Sequence, residues 1–256
     1  MLKLPGIRNN NMPHGKYASR GKAGLILVLL ILLGGCATTG HGADPRDPLE
    51  GFNRKVYHFN EFMDDNVFDP MGRAYKAVTP DLLDQGITNF FSNMGDLSVI
   101  ANDILQLKPQ AVSDIARVVF NSTIGLLGFF DVSSHIGLPK HDEDLGQTLG
   151  VWGVGPGPYL IIPLLGPSTV RDAAGYAIDS IYANPITYLH DGTLRAGLMT
   201  LHFIDFKADL LSTRELIGEA AVDPYEFTKN AYLSRRKNQV MDKDTSEAQF
   251  EQIMNE

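Results

Sequence analysis

The side chain best placed for covalent chemistry is the thiol of Cys36, the only cysteine among 256 residues. A basic stretch and then an apolar run at residues 23–33 precede it, which is the layout of a secretory signal peptide. The run ends in Leu33-Gly34-Gly35, and small residues before a cysteine are typical of sites where the thiol is acylated before cleavage. We therefore expect Cys36 to be lipidated. The alternative is an ordinary signal peptide followed by a free or buried thiol.

The segments around this anchor have distinct compositions. Residues 1–35 are expected to be the signal peptide, and translation can start at Met1 or at Met12. Residues 36–47 are polar and aperiodic and contain glycine and proline, so they predict a lipidated tether. Three acyl chains, at about 0.8 kcal/mol per buried methylene, would hold it in a membrane almost permanently. The second mature residue, Ala37, is not Asp, which favours the outer membrane.

Other groups of residues that could bind a ligand or act in catalysis give weaker indications of function. The glycines at residues 153–157 are interrupted by proline and lack the Gly-Lys-Ser/Thr of a phosphate-binding loop. Residues 141–144 (HDED) have ligand-type side chains, but consecutive residues rarely converge on one ion, so a solvated turn is preferred. Ser134 and His135 are neighbours without a hydrolase motif around them. We expect no enzyme activity, metal or cofactor.

The distribution of charge argues against nucleic acid as a partner. The chain has 22 basic and 30 acidic residues, and five of the basic ones fall within residues 1–35, which have no acidic residue. Residues 36–256 therefore carry 17 basic and 30 acidic side chains, a net charge of −13. Binding to phosphates requires clustered Lys and Arg instead.

The mature chain has the periodicity of a mainly α protein. Apolar residues recur every three or four positions between residues 83 and 104, and similar patterns follow. Ser168 is expected to cap one helix, and Pro185 to break the chain after it. The predicted helices span residues 52–62, 80–104, 109–120, 168–181, 193–221 and 224–240. They belong to a helical domain at residues 48–240, followed by a polar tail at 241–256.

Two apolar segments do not fit a soluble bundle of helices. Residues 123–132 are apolar around the whole circumference but have half the length that crosses a bilayer. Residues 149–167 contain five glycines and four prolines, which exclude a long helix. This second segment predicts either a buried loop with a short hairpin or an interfacial, re-entrant element.

Two pairs of polar residues each have two possible roles. Arg171 and Asp172 lie in the first turn of a predicted helix, where they could form a structural ion pair or line a path for lipid headgroups. Asn53 and Asn60 alternate with phenylalanines in the first helix. That helix could pack its aromatic side chains into the core or present a functional rim.

Five segments occur in a recognisable order along the chain. They are DPLEGFNR at residues 47–54, FN at 59–60, NSTIGLLGFFDV at 121–132, DLGQTLGVWGVGPGPY at 144–159 and LLGPSTVRD at 164–172. Together they resemble the MlaA (VacJ) family of lipoproteins, over about residues 47–240.

This resemblance implies a ring-like bundle of amphipathic helices, monotopic in the periplasmic leaflet of the outer membrane and enclosing an amphipathic channel. It implies that glycerophospholipids misplaced in the outer leaflet are removed and passed to a soluble periplasmic carrier, beside a trimeric porin, which maintains lipid asymmetry. The residues expected to embed in the membrane are Leu126, Leu127, Phe129, Phe130, Tyr159, Leu160, Ile161 and Ile162. Those expected to line or support the channel are Asn53, Asn60, Arg171 and Asp172.

Two other functions remain open from the sequence. A structural lipoprotein that supports a porin would co-purify with it without affecting lipid distribution. A phospholipid hydrolase would release lysophospholipid or fatty acid, although no nucleophile motif favours it.

Overall fold

The computed structural model describes residues 44–242, and this part of the chain is mainly helical, as predicted. The predicted signal peptide, Cys36, most of the tether and nearly all of the polar tail lie outside the described residues. In chain order the elements are α1 (Glu50–Met63), a π-helical turn (Asp64–Phe68), α2 (Asp69–Val78), α3 (Asp81–Leu105), α4 (Ala111–Thr123), α5 (Val132–His135), α6 (Leu145–Val151), β1 (Tyr159–Ile162), β2 (Gly166–Thr169), α7 (Val170–Tyr182), a 3-10 turn (Pro185–Tyr188), α8 (Gly192–Ala220) and α9 (Pro224–Val240).

The helices pack in a closed circuit. α3 contacts both α6 and α8, and α9 contacts the same two helices, so these four surround a central space. α7 packs on α6, and the two strands contact α1, α7 and α9. This arrangement agrees with the expected ring-like bundle. Within residues 44–242, no helix is both long enough and apolar enough to cross a bilayer.

α3 and α4 form the helical hairpin that the apolar periodicity predicts. α3 follows Pro80, and Asp81 and Asp84 in its first turn favour the positive end of the helix dipole. The chain turns after Gln106 through Leu107, which has a left-handed backbone with φ of 58°. α4 then packs back against α3.

Side-chain caps begin the three helices that follow the strands. Asp191 caps α8 and Asp223 caps α9, in each case by accepting hydrogen bonds from backbone N–H groups of the first turn. α7 is capped by Thr169, whose Oγ1 accepts a bond of 3.2 Å from the Asp172 N–H. The expectation that Ser168 is the cap was therefore wrong by one position, because the Ser168 hydroxyl donates to the Thr169 carbonyl oxygen at 3.2 Å instead.

The Gly- and Pro-rich segment contains a short antiparallel hairpin, one of the two structures that its sequence left open. Tyr159 pairs with Thr169, and Ile162 pairs with Gly166. Leu164 in the turn and Gly166 at the start of β2 have positive φ values of 66° and 101°. This conformation suits glycine and strains leucine.

The apolar segment after α4 forms a tight loop instead of a longer helix. Leu126 and Leu127 both have left-handed backbones, with φ of 54° and 60°. The Gly128 N–H closes the loop by donating to the Asn121 carbonyl oxygen at 2.8 Å. Gly128 is required here, because its φ is 93° and a Cβ would lie only 2.4 Å from the Asn93 side chain.

The apolar core is small and lies where α1, β1 and α9 meet. It consists of Val56, Tyr159, Ile161 and Tyr225. Many other buried side chains are polar or charged, so hydrogen bonds and ion pairs carry much of the packing specificity.

Candidate functional site

A cavity of about 850 Å³ lies among the helices. Its lining comes from α3, α7, α8 and α9, together with the β-hairpin, the 3-10 turn and residues just before α6. Its volume falls in the range of about 300–1,000 Å³ that is typical of small-molecule sites.

The wall formed by α3 and α8 is largely apolar. Met94 comes from α3, and Met199 and Phe206 come from α8. Phe91 stacks on the His202 ring across these two helices, with 4.4 Å between ring centroids. Burial lowers the pKa of His202, so the imidazole is neutral at pH 7 and leaves this wall uncharged.

The opposite wall carries a charged network on α7, α9 and the start of α6. Arg236 bridges two carboxylates, at 2.6 Å to Asp144 and 2.9 Å to Asp172. Tyr232 donates a hydrogen bond of 2.9 Å to Asp172. Burial raises the pKa of both carboxyl groups, but the hydrogen bonds and charge of Arg236 outweigh burial, and the net pKa of each is lowered. Both carboxylates are therefore charged at neutral pH, and the cavity is amphipathic.

Asn53 supports the hairpin that forms part of this cavity. Its side chain is fully buried and donates to the Tyr159 carbonyl oxygen at 3.0 Å. It also accepts from the Ile161 N–H at 3.0 Å and donates to Asp47 at 2.8 Å. The amide thus bonds the edge of β1 that does not face β2, as a third strand would.

Asn60 makes the equivalent contacts two helical turns later. It donates to the Ile162 carbonyl oxygen at 3.1 Å and accepts from the Leu164 N–H at 2.8 Å. We call Asn53 and Asn60 the asparagine ladder. Neither residue is among those that line the cavity. Asn53 and Asn60 therefore support the hairpin and do not line the cavity.

Arg171 and Asp172 have different positions. The Arg171 guanidinium contacts Asp172 at 2.9 Å and the Val154 carbonyl oxygen at 3.4 Å, so it fastens the glycine-rich loop to α7. Asp172 lines the cavity as part of the network with Arg236.

The residues expected to embed in a membrane fall into two groups. In the loop after α4, Leu126, Leu127 and Phe130 are exposed, by 65%, 62% and 42%. Phe129 is half-buried over α3, where a Cβ on Gly86 would come within 2.2 Å of its ring. Three of the four side chains in this group therefore present an apolar surface to the outside.

The second group, in β1, does not present its side chains to the outside. Tyr159 and Ile161 are buried in the protein core between α1 and α9, so the expectation that they embed in a membrane was wrong. Side chains alternate along a strand, and only one face of β1 meets this core. Leu160 and Ile162 are half-buried, and Ile162 lines the cavity.

The sequence did not indicate an ionic cluster that binds the start of the described chain to α9. Lys229 is almost fully buried and pairs with Glu226 at 2.9 Å, Asp44 at 3.3 Å and Asp47 at 3.6 Å. Asp47 also accepts a short hydrogen bond from the Tyr225 hydroxyl. We call these five residues the N-terminal clasp. The motif at residues 47–54 contains Asp47, but its partners lie about 180 residues away.

Residues 141–144 do not converge on one point. Their side chains contact Asp114, Arg235, Lys108 and Arg236, respectively. In residues 44–242, no three His, Cys, Asp or Glu side chains are grouped to hold a metal ion. Ser134 bonds the Asp131 carboxylate, while the His135 ring contacts the Asp131 carbonyl oxygen, so hydroxyl and imidazole have separate partners.

The fold and the cavity define a class of protein: a mainly helical ring around a space that is apolar on one side and charged on the other. A family model described as MlaA lipoprotein matches residues 45–239. The chain belongs to the MlaA lipoprotein family.

Individual relatives support this assignment. The intermembrane phospholipid transport system lipoprotein MlaA of Escherichia coli K12 is 35% identical over 211 residues, covering 80% of this chain and 82% of that protein. An uncharacterized protein of Rickettsia prowazekii is 31% identical, covering 76% of this chain and 78% of its own. A solved structure from work on the structural basis for maintenance of bacterial outer membrane lipid asymmetry matches with a TM-score of 0.66. It is 31% identical and covers 76% of this chain and 98% of that chain.

Proposed function

We propose that this protein is an outer-membrane lipoprotein that removes mislocalised glycerophospholipids from the outer leaflet. On this proposal the lipids pass through the cavity to a soluble periplasmic carrier, and lipid asymmetry is maintained. Acyl chains on Cys36 hold the protein in the periplasmic leaflet, beside a trimeric porin. The names of the curated relatives, which refer to intermembrane phospholipid transport, support this proposal.

The amphipathic cavity is the observation that carries the proposal. A glycerophospholipid has a charged headgroup and apolar chains, and the cavity presents a charged wall around Arg236 opposite an apolar wall around Met94 and Met199. Moving a lipid breaks no covalent bond, so the site needs complementary surfaces and no nucleophile. We infer that the protein is not an enzyme.

The loop after α4 supports a position within one leaflet. Leu126, Leu127 and Phe130 together form an exposed apolar surface, which is costly in water and favourable in the acyl region of a bilayer.

A substitution that fills the cavity tests the proposal. Gly95 lies in the interior of α3 and lines the cavity, and a Cβ at this position meets nothing within 4 Å. Gly95→Trp should therefore block the cavity without a steric clash at Cβ. It should not weaken α3 either, because tryptophan has a higher helix propensity than glycine. Gly218→Trp is the matched control, since Gly218 lies exposed on α8, away from the cavity, and also has open space.

The assay is the amount of phospholipid in the outer leaflet, measured by leaflet-specific acylation of lipid A in cells that lack the protein. We expect the wild type and Gly218→Trp to restore asymmetry, and Cys36→Ala and Gly95→Trp to fail. Full restoration by Gly95→Trp at normal protein levels would refute transport through the cavity and favour a structural, porin-supporting role. Release of lysophospholipid by the purified protein would favour a hydrolase.

A further inference from the structure

On the charged wall of the cavity, formed by α7, α9 and the start of α6, almost all charged side chains form ion pairs within the protein. Asp144 and Asp172 share Arg236. Asp142 pairs with Arg235 at 3.3 Å. A lipid headgroup that meets these residues meets ion pairs that are already formed.

Asp179 is different, although it lines the same wall. Its carboxylate accepts a hydrogen bond of 2.7 Å from the Leu145 N–H and a longer one of 3.4 Å from the Asn102 amide. Both donors are neutral, and no basic side chain in residues 44–242 forms an ion pair with it. Burial raises the pKa of Asp179, which is the response of a carboxylate without a cationic partner.

A carboxylate offers about four acceptor positions, and Asp179 uses two of them for the Leu145 N–H and the Asn102 amide, while the Ser98 hydroxyl is a third, neutral donor that lowers its pKa. The carboxylate lines the cavity and none of these donors is charged, so a cation inside the cavity can still pair with it. Ser180, which lines the cavity as well, offers a hydroxyl donor for an adjacent phosphate.

We propose that Asp179 accepts the ammonium group of a phospholipid headgroup, so that the cavity prefers phosphatidylethanolamine to phosphatidylglycerol. This inference rests on the proposed function and names the lipid class that the site takes. Phosphatidylethanolamine carries an ammonium that can pair with the carboxylate. Phosphatidylglycerol carries only the phosphate charge, which Asp179 repels.

The test uses two photoreactive probes with identical diazirine-labelled acyl chains and either an ethanolamine or a glycerol headgroup. The purified full-length lipoprotein in neutral detergent is irradiated with each probe at equal concentration near pH 7.5. Crosslinks to cavity residues such as Met94 and Met199 are then quantified by mass spectrometry. We expect the ethanolamine probe to label these residues about threefold to fivefold more, as for a partly exposed ion pair.

Substitutions of Asp179 test whether its carboxylate causes the preference for the ethanolamine headgroup. Asp179→Asn should bring the labelling ratio close to one, whereas Asp179→Glu, which keeps the charge, should retain a preference. Asp209→Asn is the control, because Asp209 is an exposed carboxylate outside the cavity lining and should leave the ratio unchanged. Circular dichroism shows whether each variant is folded.

The outcomes separate this inference from the function on which it rests. Equal labelling of the wild type by both probes, or an unchanged ratio in folded Asp179→Asn, would overturn the role of Asp179 and leave lipid transport standing. Absence of cavity crosslinks with either probe would contradict the proposed function itself.

Discussion

Removal of one amide of the asparagine ladder should loosen the hairpin, although Asn53 itself does not line the cavity. In Asn53→Ala, the Tyr159 carbonyl oxygen and the Ile161 N–H lose partners at 3.0 Å, and both residues are buried. Each buried group left unsatisfied costs about 1–3 kcal/mol. We therefore expect Asn53→Ala to lower the free energy of unfolding by roughly 2–4 kcal/mol.

This loss has two measurable consequences. At about 2–4 °C per kcal/mol for a domain of this size, the Tm should fall by roughly 4–16 °C. Hydrogen exchange of the Ile161 amide, read by mass spectrometry of peptides that cover β1, should accelerate by about thirtyfold to several hundredfold, because each 1.4 kcal/mol corresponds to a factor of ten.

Two further variants test whether the Asn53 amide holds β1. Asn53→Asp keeps an acceptor for the Ile161 N–H but places a second carboxylate beside Asp47, so it should destabilise at least as much. Asn66→Ala is the control, because Asn66 is exposed and bonds only the Phe62 carbonyl oxygen of its own helical region. If Asn53→Ala and Asn66→Ala gave the same exchange in β1, the ladder would not hold the strand.

Three further predictions concern other parts of the molecule. Gly86→Ala should destabilise by about 1–3 kcal/mol in urea unfolding, because its Cβ overlaps the Phe129 ring, whereas Gly197→Ala has open space and should be neutral or stabilising. The lowered pKa of His202 contributes stability above its unfolded pKa of about 6.5 that is lost as the pH falls. His202→Phe should therefore show a smaller loss of Tm than the wild type between pH 8 and pH 5. Leu126→Asp should weaken vesicle binding without unfolding, since Asp tolerates positive φ better than Leu; unchanged binding would show that this loop does not insert.

The helices were the most predictable part of the structure. The apolar periodicity gave α3 and α9 almost to the residue, because local burial on one face determines these helices. The cap of α7 was missed by one position, since Ser168 and Thr169 both carry a hydroxyl that can cap a helix and only the three-dimensional structure shows that Thr169 accepts from the Asp172 N–H.

The position of the strand and the cavity charges depended on distant contacts. Tyr159 and Ile161 look like interfacial residues in the sequence, but α1 and α9, about 100 and 70 residues away, cover them. The sequence around Arg236 does not indicate its role in the cavity, because its carboxylate partners lie 64 and 92 residues away. Asn53 and Asn60 were singled out, yet their bonds to the β1 backbone could only be seen in three dimensions.

The N-terminal clasp bears on the order of events if the chain is exported through a membrane, as its predicted signal peptide implies. Asp44 and Lys229 are brought together across 185 residues, so a chain that crosses a membrane from its amino end exposes one partner long before the other. Until α9 has emerged, Asp44 and Asp47 lack Lys229, and Asp47 lacks the Tyr225 hydroxyl. If Cys36 is acylated and the chain is cleaved there as soon as it emerges, both steps precede formation of the clasp, and α9 completes the fold by binding the first described segment of the chain.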